Sequence, residues 1–494
     1  MSQLRQLAGQ TVIYGASSVL GRVLNYLLVP LYTSVFAPEE YGVVTELYAF
    51  VAFLNILYTY GFETTYFRFA TKSESGKDYF QIAQTSLLIT SLLFSSTLIV
   101  SSTWIVNALH YPGKETYIVW LAIILAIDAI VAVPFAQLRL AGRSLMFAGL
   151  KLGNILVNIG LNCFFLLFCP WWLASHPESI VAGVYSESLG VGYVFLCNLI
   201  ANGLYLLFLP KSVFNISPSL GTEWKHMLKY ALPLMLMGFA GVTNEMLSRA
   251  MLKYLLPEGF YAGFNNQQIL GIFGACYKLS VFMTLAVQAF RYAFEPFFFS
   301  RSVDKNSPQL FATVMHAFVV FGVLSWMIIS LFLPLIAPIF LRDPTYLTGL
   351  EIVPWLLAGG LLLGIYFNLS VWFKLTDQTK YGAWISVGGA AVTVLGNVAL
   401  IPLIGYMGSA ITTVLSYLFM VIVSYRLGQK HFYIPYSTGK SLFYLLFGAL
   451  SIGAVYIYDL DQMLRYLLAS GLVALFLFLV WLLDYRKGAF KVGR

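Results

Sequence analysis

The chain has 494 residues, of which 59% are hydrophobic and 10% charged, and its mean hydropathy is +0.80. Soluble domains carry about 25% charged residues, so this composition excludes a soluble globular protein and indicates a membrane protein with many spans. The formal net charge of +8 does not predict nucleic-acid binding, because most lysines and arginines lie in the segments predicted to face the cytoplasm.

Fourteen apolar segments approach or exceed the length of about 20 residues that a helix needs to cross a bilayer. The first follows MSQLRQLAGQ without the short apolar core and small-residue cleavage site of a signal peptide. The four cysteines have no C-x-x-C spacing, so neither a disulfide framework nor a zinc site is predicted. The segments predict an all-α polytopic membrane protein with spans near 11–36, 42–66, 81–108, 117–138, 146–169, 190–210, 229–255, 268–299, 310–340, 347–373, 381–402, 405–425, 440–458 and 463–483.

The lysines and arginines between these segments are distributed unequally across the membrane. With the N-terminus in the cytoplasm, twenty bases lie on the cytoplasmic side, four lie on the outer side and five fall inside spans. This positive-inside pattern predicts a multi-pass membrane protein with both termini in the cytoplasm. No connecting segment exceeds about 20 residues, so no soluble catalytic or receptor domain is predicted.

The second half of the chain repeats the first. Segment 25–42 aligns with segment 244–259 at an offset of 219 residues, which pairs Asn25 with Asn244. Both copies begin on the same side of the membrane, so the repeat is parallel. Transporters built from two such repeats bind substrate between them near the bilayer midplane. The pattern predicts two six-helix lobes around a central cavity and a terminal helix pair with a basic tail: residues 1–210, 211–427 and 428–494.

Polar residues inside the spans keep to single helix faces. Arg22 and Asn25 share a stripe in the first span with Gly15 and Ser18. An intramembrane arginine costs roughly 2.5–3.5 kcal/mol and usually marks a functional site, and bases outnumber acids at depth, so a hydrated cationic cavity for an anion is predicted. The candidate substrate-binding residues are Arg22, Asn25, Asn154, Asn158, Asn244, Arg249, Lys278 and Arg291, and the candidate ion-coupling acids are Asp128 and Glu245.

Structural explanations of these residues stay open at this point. Arg22 could pair with Asp128 instead of facing a cavity, and the asparagines could hydrogen-bond neighbouring helices. Lys151, which begins the stripe of Asn154 and Asn158, could extend to the cytoplasmic surface. Arg291 could pair with Glu295 on the same helix.

Four segments, in order and spacing, resemble the polysaccharide-transporter (Wzx-type lipid-linked oligosaccharide flippase) family of the MOP superfamily, which also contains MATE antiporters and MurJ lipid II flippases. One departure is that many relatives have an acid near the position of Ser248, whereas here the acid is Glu245. The segments are VPLYTSVFAPEEYGVVTELYAFVAFLNILYTYGFETTYFRFA (29–70), LPLMLMGFAGVTNEMLSRAMLKYLLPEG (232–259), LGIFGACYKLS (270–280) and GGAAVTVLGNVALIPLIGYMGSAITTVLSYL (388–418).

The resemblance implies a flippase that moves an undecaprenyl-pyrophosphate-linked oligosaccharide across the bilayer by alternating access, for O-antigen, capsule or exopolysaccharide assembly. It implies coupling to a proton or sodium gradient, without a cofactor or metal, and a polysaccharide polymerase and chain-length regulator as pathway partners. Carried over by position, Arg22, Asn25, Arg249 and Lys278 are the implied contacts of the pyrophosphate.

Three other classes of protein are weighed against this one. A MATE-type cation-coupled drug antiporter would favour an acid-lined cavity, but here the deep bases outnumber the acids. A membrane glycan polymerase or glycosyltransferase has as its only support Asp459-Leu460-Asp461, a D-x-D in a hairpin too short for a metal and a donor, so an enzyme is not predicted. A purely structural membrane protein would bury five bases without a use for them.

Overall fold

The computed structural model describes residues 19–72, 78–216, 221–288, 290, 307–376, 378–457 and 461–486. Within these residues the regular structure is helical, without a strand. The helices of eight or more residues, with the shorter ones that continue or connect them, are α1 Val19–Val35, α2 Pro38–Thr59, α3 Phe62–Lys72, α4 Tyr79–Val100, α5 Ser102–Ala108, α6 Glu115–Leu140, α7 Ser144–Cys163, α8 Cys169–Ser175, α9 Gly192–Phe208, α10 Gly221–Leu255, α11 Asn266–Gln288, α12 Ser307–Leu331, α13 Leu333–Phe340, α14 Val353–Leu369, α15 Val371–Leu375, α16 Thr379–Ile404, α17 Tyr406–His431, α18 Thr438–Ile457 and α19 Gln462–Val480.

Helix length and composition confirm the predicted all-α polytopic membrane protein. In the described part of the chain, eleven helical segments are long and apolar enough to cross a bilayer, and α1 and α9 are shorter apolar helices. The 35-residue α10 contains the predicted span 229–255. The total of fourteen spans stays a prediction.

The chain divides into two compact units, residues 1–242 and 243–494. The boundary falls inside α10, which therefore contributes residues to both units. The terminal helices α18 and α19 belong to the second unit. The lobe boundaries at 210 and 427 stay a prediction.

A break interrupts the second membrane segment of the first unit. The apolar run predicts one helix over 42–66, but α2 ends at Thr59 because Tyr60 and Gly61 adopt φ values of 31° and 76°. Left-handed backbone suits glycine and is costly for tyrosine. A Cβ on Gly61 would also lie 3.1 Å from the Leu234 Cβ. The buried Tyr60 is fixed by a 2.7 Å hydrogen bond between its hydroxyl and that of Ser86.

Helices α16 and α17 of the second unit approach each other closely at small residues. A Cβ on Gly408 would lie 2.6 Å from the carbonyl carbon and oxygen of Leu400, and a Cβ on Gly396 would lie 2.7 Å from the Thr412 Cγ2. Lipid is as apolar as a leucine side chain, so close packing at small residues is what associates helices in a membrane.

Gly408→Ala is expected to lower the thermal unfolding temperature of the purified protein. The clash is with backbone atoms of Leu400, which cannot rotate away, and overpacking of this kind costs about 1–3 kcal/mol. Gly453→Ala is the matched control, because a Cβ on Gly453 in α18 would meet nothing within 4 Å. Equal unfolding temperatures for the two variants would contradict the close packing.

The terminal helices are joined to α12 by a group of polar side chains around Asp484, here called the Asp484 node. Asp484 follows α19 directly, and its side chain is fully buried. Its carboxylate accepts hydrogen bonds from Tyr444 at 2.7 Å and Lys440 at 2.6 Å, and its other contact is His316 Nε2 at 2.8 Å. Residues distant in sequence therefore share one buried carboxylate within the second unit.

Candidate functional site

Two of the predicted bases lie together in the second unit, on α10 and α11. The Arg249 guanidinium carbon lies 3.8 Å from the centre of the Tyr277 ring. Lys278 is the next residue along α11 and interacts electrostatically with Arg249 and Glu245. Glu245 is exposed, one turn before Arg249 on α10. Two bases that the sequence places on separate spans are therefore close enough in the fold to interact electrostatically.

Arg249 is not neutralised by a contacting acid. Its described polar contacts are the Met246 sulfur, 2.9 Å from Nη1, and Tyr277. The buried Nε has no hydrogen-bond partner. Among the described residues, no carboxylate lies within the 4.0 Å ion-pair distance of Arg249 or Lys278. An arginine carries five N–H donors, so the contacts with Met246 and Tyr277 leave some of the terminal N–H groups without a partner among the described residues.

The Tyr277 ring explains how this arrangement is held. A guanidinium over an aromatic face is attracted to the electron-rich ring, and that attraction does not itself require the in-plane N–H groups. The ring therefore restricts the position of the Arg249 head group, while N–H groups other than those that contact Met246 and Tyr277 remain for an anion.

Asn244, also on α10, has a different environment. Its side chain is 5% exposed. Its Oδ1 accepts hydrogen bonds from Thr393 at 3.1 Å and Ser416 at 3.3 Å, and its Nδ2 donates to the Ser386 carbonyl at 3.3 Å. These bonds connect α10 to α16 and α17. A substrate contact by Asn244 stays a prediction, and it would require these interhelical bonds to open.

A second polar cluster lies within the first unit. Asp128 on α6 accepts a 3.0 Å hydrogen bond from Asn202 Nδ2 on α9, and Asn202 Oδ1 accepts a 2.9 Å bond from Asn154 Nδ2 on α7. Lys151 interacts electrostatically with Asp128. The chain of amides thus connects three helices and fixes the orientation of the one carboxylate.

The remaining asparagines of α7 continue this polar face. Asn158 is half-buried, and its Oδ1 accepts a 3.1 Å bond from Asn162. Asn162 is fully buried and accepts a 3.0 Å bond from the Tyr32 hydroxyl of α1. Asn162 therefore joins helices, while Asn158 keeps its Nδ2 group without a hydrogen-bond partner among the described residues.

Arg22 and Asn25 are exposed on α1. Their neighbour Gly21 faces α7, since a Cβ there would lie 2.8 Å from the Ile155 Cδ1. In the described part of the chain Arg22 makes no ion pair, so the alternative in which it pairs with Asp128 is not what the structure contains. Contact between Arg22 or Asn25 and a substrate stays a prediction.

Three predicted features fall partly or wholly outside the described residues. Arg291 lies there, as do Gly15 and Ser18 of the first stripe and Asp459 of the D-x-D. The second aspartate, Asp461, is exposed and accepts a 3.3 Å bond from the Met463 amide at the start of α19. This is the geometry of a helix cap.

Two buried acids were not among the residues predicted from the sequence. Glu46 on α2 is fully buried and accepts a hydrogen bond from the Tyr111 hydroxyl. A lone acid in an apolar run is itself a signal of function or pairing, so Glu46 could have been found. Asp484 could not have been found in this way, because it precedes a basic tail and resembles a residue of a solvent-exposed connecting segment.

Solved structures with a similar fold include membrane transporters and a lipid flippase. "Lipid II flippase MurJ, inward closed conformation" aligns with a TM-score of 0.70 at 12% identity, over 95% of this chain and 99% of that one. An inward-facing MATE multidrug resistance transporter of the MOP superfamily aligns with a TM-score of 0.56 at 15% identity, over 83% and 94%. A MATE structure in the straight conformation gives a TM-score of 0.55 at 15% identity, over 85% and 93%. At these identities the likeness shows the fold alone.

Comparison at the level of sequence families gives a more specific result. No curated protein matches the chain. A family model described as "Polysaccharide biosynthesis protein" matches residues 7–300, more than half of the sequence. The predicted family and the observed fold therefore agree, and the chain belongs to this polysaccharide biosynthesis protein family.

Proposed function

We propose that this protein is a flippase that moves an undecaprenyl-pyrophosphate-linked oligosaccharide across the bacterial cytoplasmic membrane by alternating access. The family and the flippase-like fold support a transporter of lipid-linked material. The observation that favours an anionic substrate is the environment of Arg249 and Lys278. Both are partly buried bases without a contacting carboxylate among the described residues.

The chemistry of these two bases suits a pyrophosphate. Charge-assisted hydrogen bonds from arginine or lysine to phosphate oxygens are roughly twice as strong as neutral ones. The guanidinium matches two oxygens of one phosphate with its planar fork, while an ammonium acts as a compact point charge. Arg249 over the Tyr277 ring would fix the position of one phosphate, and Lys278 would neutralise further charge.

The other predicted residues have supporting roles in this proposal. Amide groups can donate to and accept from sugar hydroxyls, so Asn25, Asn154, Asn158 and Asn244 are the proposed contacts of the glycan. Arg22 and Arg291 are proposed as further cations along the path. Asp128 and Glu245 are the proposed ion-coupling acids, since each interacts electrostatically with a base, Lys151 or Lys278 respectively. A proton or sodium ion bound to either acid would change the field at that base.

The proposal places the protein in surface-polysaccharide assembly. The glycan would be an O-antigen, capsule or exopolysaccharide repeat unit, delivered to a polymerase and its chain-length regulator on the outer side of the cytoplasmic membrane. Both termini would lie in the cytoplasm, as the distribution of bases predicts.

The decisive experiment measures lipid movement by the purified full-length protein in proteoliposomes. A labelled undecaprenyl-pyrophosphate-linked oligosaccharide is placed in one leaflet, and its exposure to a glycan-cleaving enzyme outside the vesicle is followed with and without an imposed proton or sodium gradient. The same lipid without the pyrophosphate is the control substrate. Movement of the pyrophosphate form alone would support the proposal. Transport of a cationic dye without movement of either lipid would replace it with a MATE-type drug antiporter.

A further inference from the structure

Lys151 on α7 has an unusual environment for a lysine in a membrane helix. Its ammonium lies 4.5 Å from the centre of the Phe135 ring on α6 and 5.6 Å from that of Tyr205 on α9. The two rings belong to different helices, so the head group lies between helices of the first unit. A lysine that extends to the membrane surface would direct its head group to water instead.

The ammonium is not part of a structural ion pair. Among the described residues it has neither a hydrogen-bond acceptor nor a carboxylate within 4.0 Å, although it interacts electrostatically with Asp128 and Glu63. Glu63 is already paired with Arg139. By contrast, Lys440 lies 2.6 Å from Asp484. The same fold thus contains a fully formed lysine–aspartate contact and a lysine that lacks one.

Asp128 is hydrogen-bonded to an amide and forms no ion pair with Lys151. The Asn202 amide donates to Asp128 Oδ1 at 3.0 Å and is itself oriented by Asn154. The carboxylate therefore acts on Lys151 through its field, and the three N–H donors of the ammonium remain for another acceptor.

The second unit contains the same arrangement. Arg249 lies over the Tyr277 ring, and an acid, Glu245, is near in sequence without forming an ion pair with it. In each unit, then, an aromatic ring lies against a base that keeps N–H donors without a partner among the described residues and forms no ion pair with its neighbouring acid.

We propose that Lys151 is a second anion-binding residue, which contacts a phosphate group of the transported lipid, and that Asp128 competes with that phosphate for the Lys151 ammonium. The inference rests on the proposed function, since it assumes a phosphate-bearing substrate. With no ligand bound, the field of Asp128 offsets the charge of Lys151. When the phosphate binds, the ammonium donates to it, and Asp128 opposes the binding by repulsion.

The test uses two substitutions whose effects should have opposite signs. Inorganic pyrophosphate is titrated into purified full-length protein in lipid nanodiscs, and the dissociation constant is measured by calorimetry. Lys151→Gln should raise the dissociation constant of pyrophosphate about tenfold or more, which corresponds to the free energy of one lost hydrogen bond to a charged group. Asp128→Asn keeps an acceptor for Asn202 and removes the repulsion, so it should tighten binding about threefold. Lys151→Arg should retain most of the affinity.

Lys114→Gln is the matched control, because Lys114 also lies over a ring in the first unit, 5.4 Å from that of Tyr117, but in the connection between α5 and α6. The thermal unfolding temperature of each sample is recorded. If Lys151→Gln does not fold, the Asp128→Asn and Lys151→Arg titrations show whether Lys151 binds the anion. A purely structural Lys151 predicts that Asp128→Asn lowers the unfolding temperature and does not tighten binding, and that result would overturn the inference.

The proposed function can fail separately from this inference. If Arg249→Gln loses pyrophosphate binding while Lys151→Gln behaves like Lys114→Gln, Lys151 is removed from the site and the proposed function stands. If the unmodified protein binds no pyrophosphate, both are overturned.

Discussion

Arg249→Gln is expected to abolish movement of the pyrophosphate-linked glycan while the protein still folds and accumulates in the membrane. The substitution removes the charge and the guanidinium fork but keeps an amide of similar length. Hydrogen bonds to charged groups are each worth about 1.5–3 kcal/mol, so loss of two such bonds would weaken pyrophosphate binding by about a hundredfold or more. The protein should tolerate the change because Arg249 pairs with no described carboxylate.

The measurement combines the proteoliposome assay with glycan export in cells that lack their own flippase. Arg465→Gln is the matched control. Arg465 on α19 also lies over a tyrosine ring, 5.2 Å from the centre of that of Tyr456, and its buried Nε also lacks a partner. It belongs to the terminal helix pair and is not among the predicted contacts. Full transport by Arg249→Gln would remove Arg249 from the site, and equal loss in both variants would point to a general packing defect.

Arg249→Lys tests whether the positive charge or the planar guanidinium group is recognised by the ligand. A lysine restores the positive charge but lacks the planar pair of donors that matches two phosphate oxygens. Transport should therefore return only in part. Complete rescue would mean that charge alone is recognised, and the ligand could then be a simpler anion than a phosphate.

Hydropathy and helical periodicity were sufficient to predict the helical fold and to select Arg249 and Lys278, on two separate spans, as candidate residues. Both patterns are local, because a span must be apolar along its length and residues three or four apart share a face. The break at Tyr60 and Gly61 was not predicted. It depends on contacts with Ser86 and Leu234, which lie elsewhere in the chain.

Periodicity cannot tell whether a polar face meets a ligand or another helix. Asn244 and Arg249 lie on the same helix, yet Asn244 is bonded to Thr393 and Ser416 while Arg249 keeps unused donors. Lys151 was ambiguous for the same reason, since its sequence position suits a surface lysine. The property that separates these cases is whether the protein itself satisfies each donor and acceptor, and that requires the three-dimensional contacts.

Asp484→Ala is expected to have the largest effect on stability of any single substitution considered for the second unit. The substitution removes the acceptor shared by the buried side chains of Tyr444 and His316, at about 1–3 kcal/mol for each such group, while water can solvate Lys440, whose side chain is 38% exposed. Here the change would leave Lys440, His316 and Tyr444 without the fully buried carboxylate that they share. The terminal helices should then separate more readily from α12.

Thermal unfolding in detergent, together with protease cleavage between α17 and α18, measures this effect. Asp461→Ala is the control for loss of an aspartate in the terminal pair, since Asp461 is exposed and caps α19, which predicts a cost of about 0.5–2 kcal/mol. Asp484→Asn should fall between the two, because the amide oxygen still accepts from Tyr444 or Lys440. In the Asp484 node the Lys440 and Tyr444 donors bind Asp484 and do not remain for a ligand, so folded Asp484→Asn should retain pyrophosphate binding. Similar unfolding temperatures for Asp484→Ala and Asp461→Ala would mean that the node does not hold the terminal helices in place.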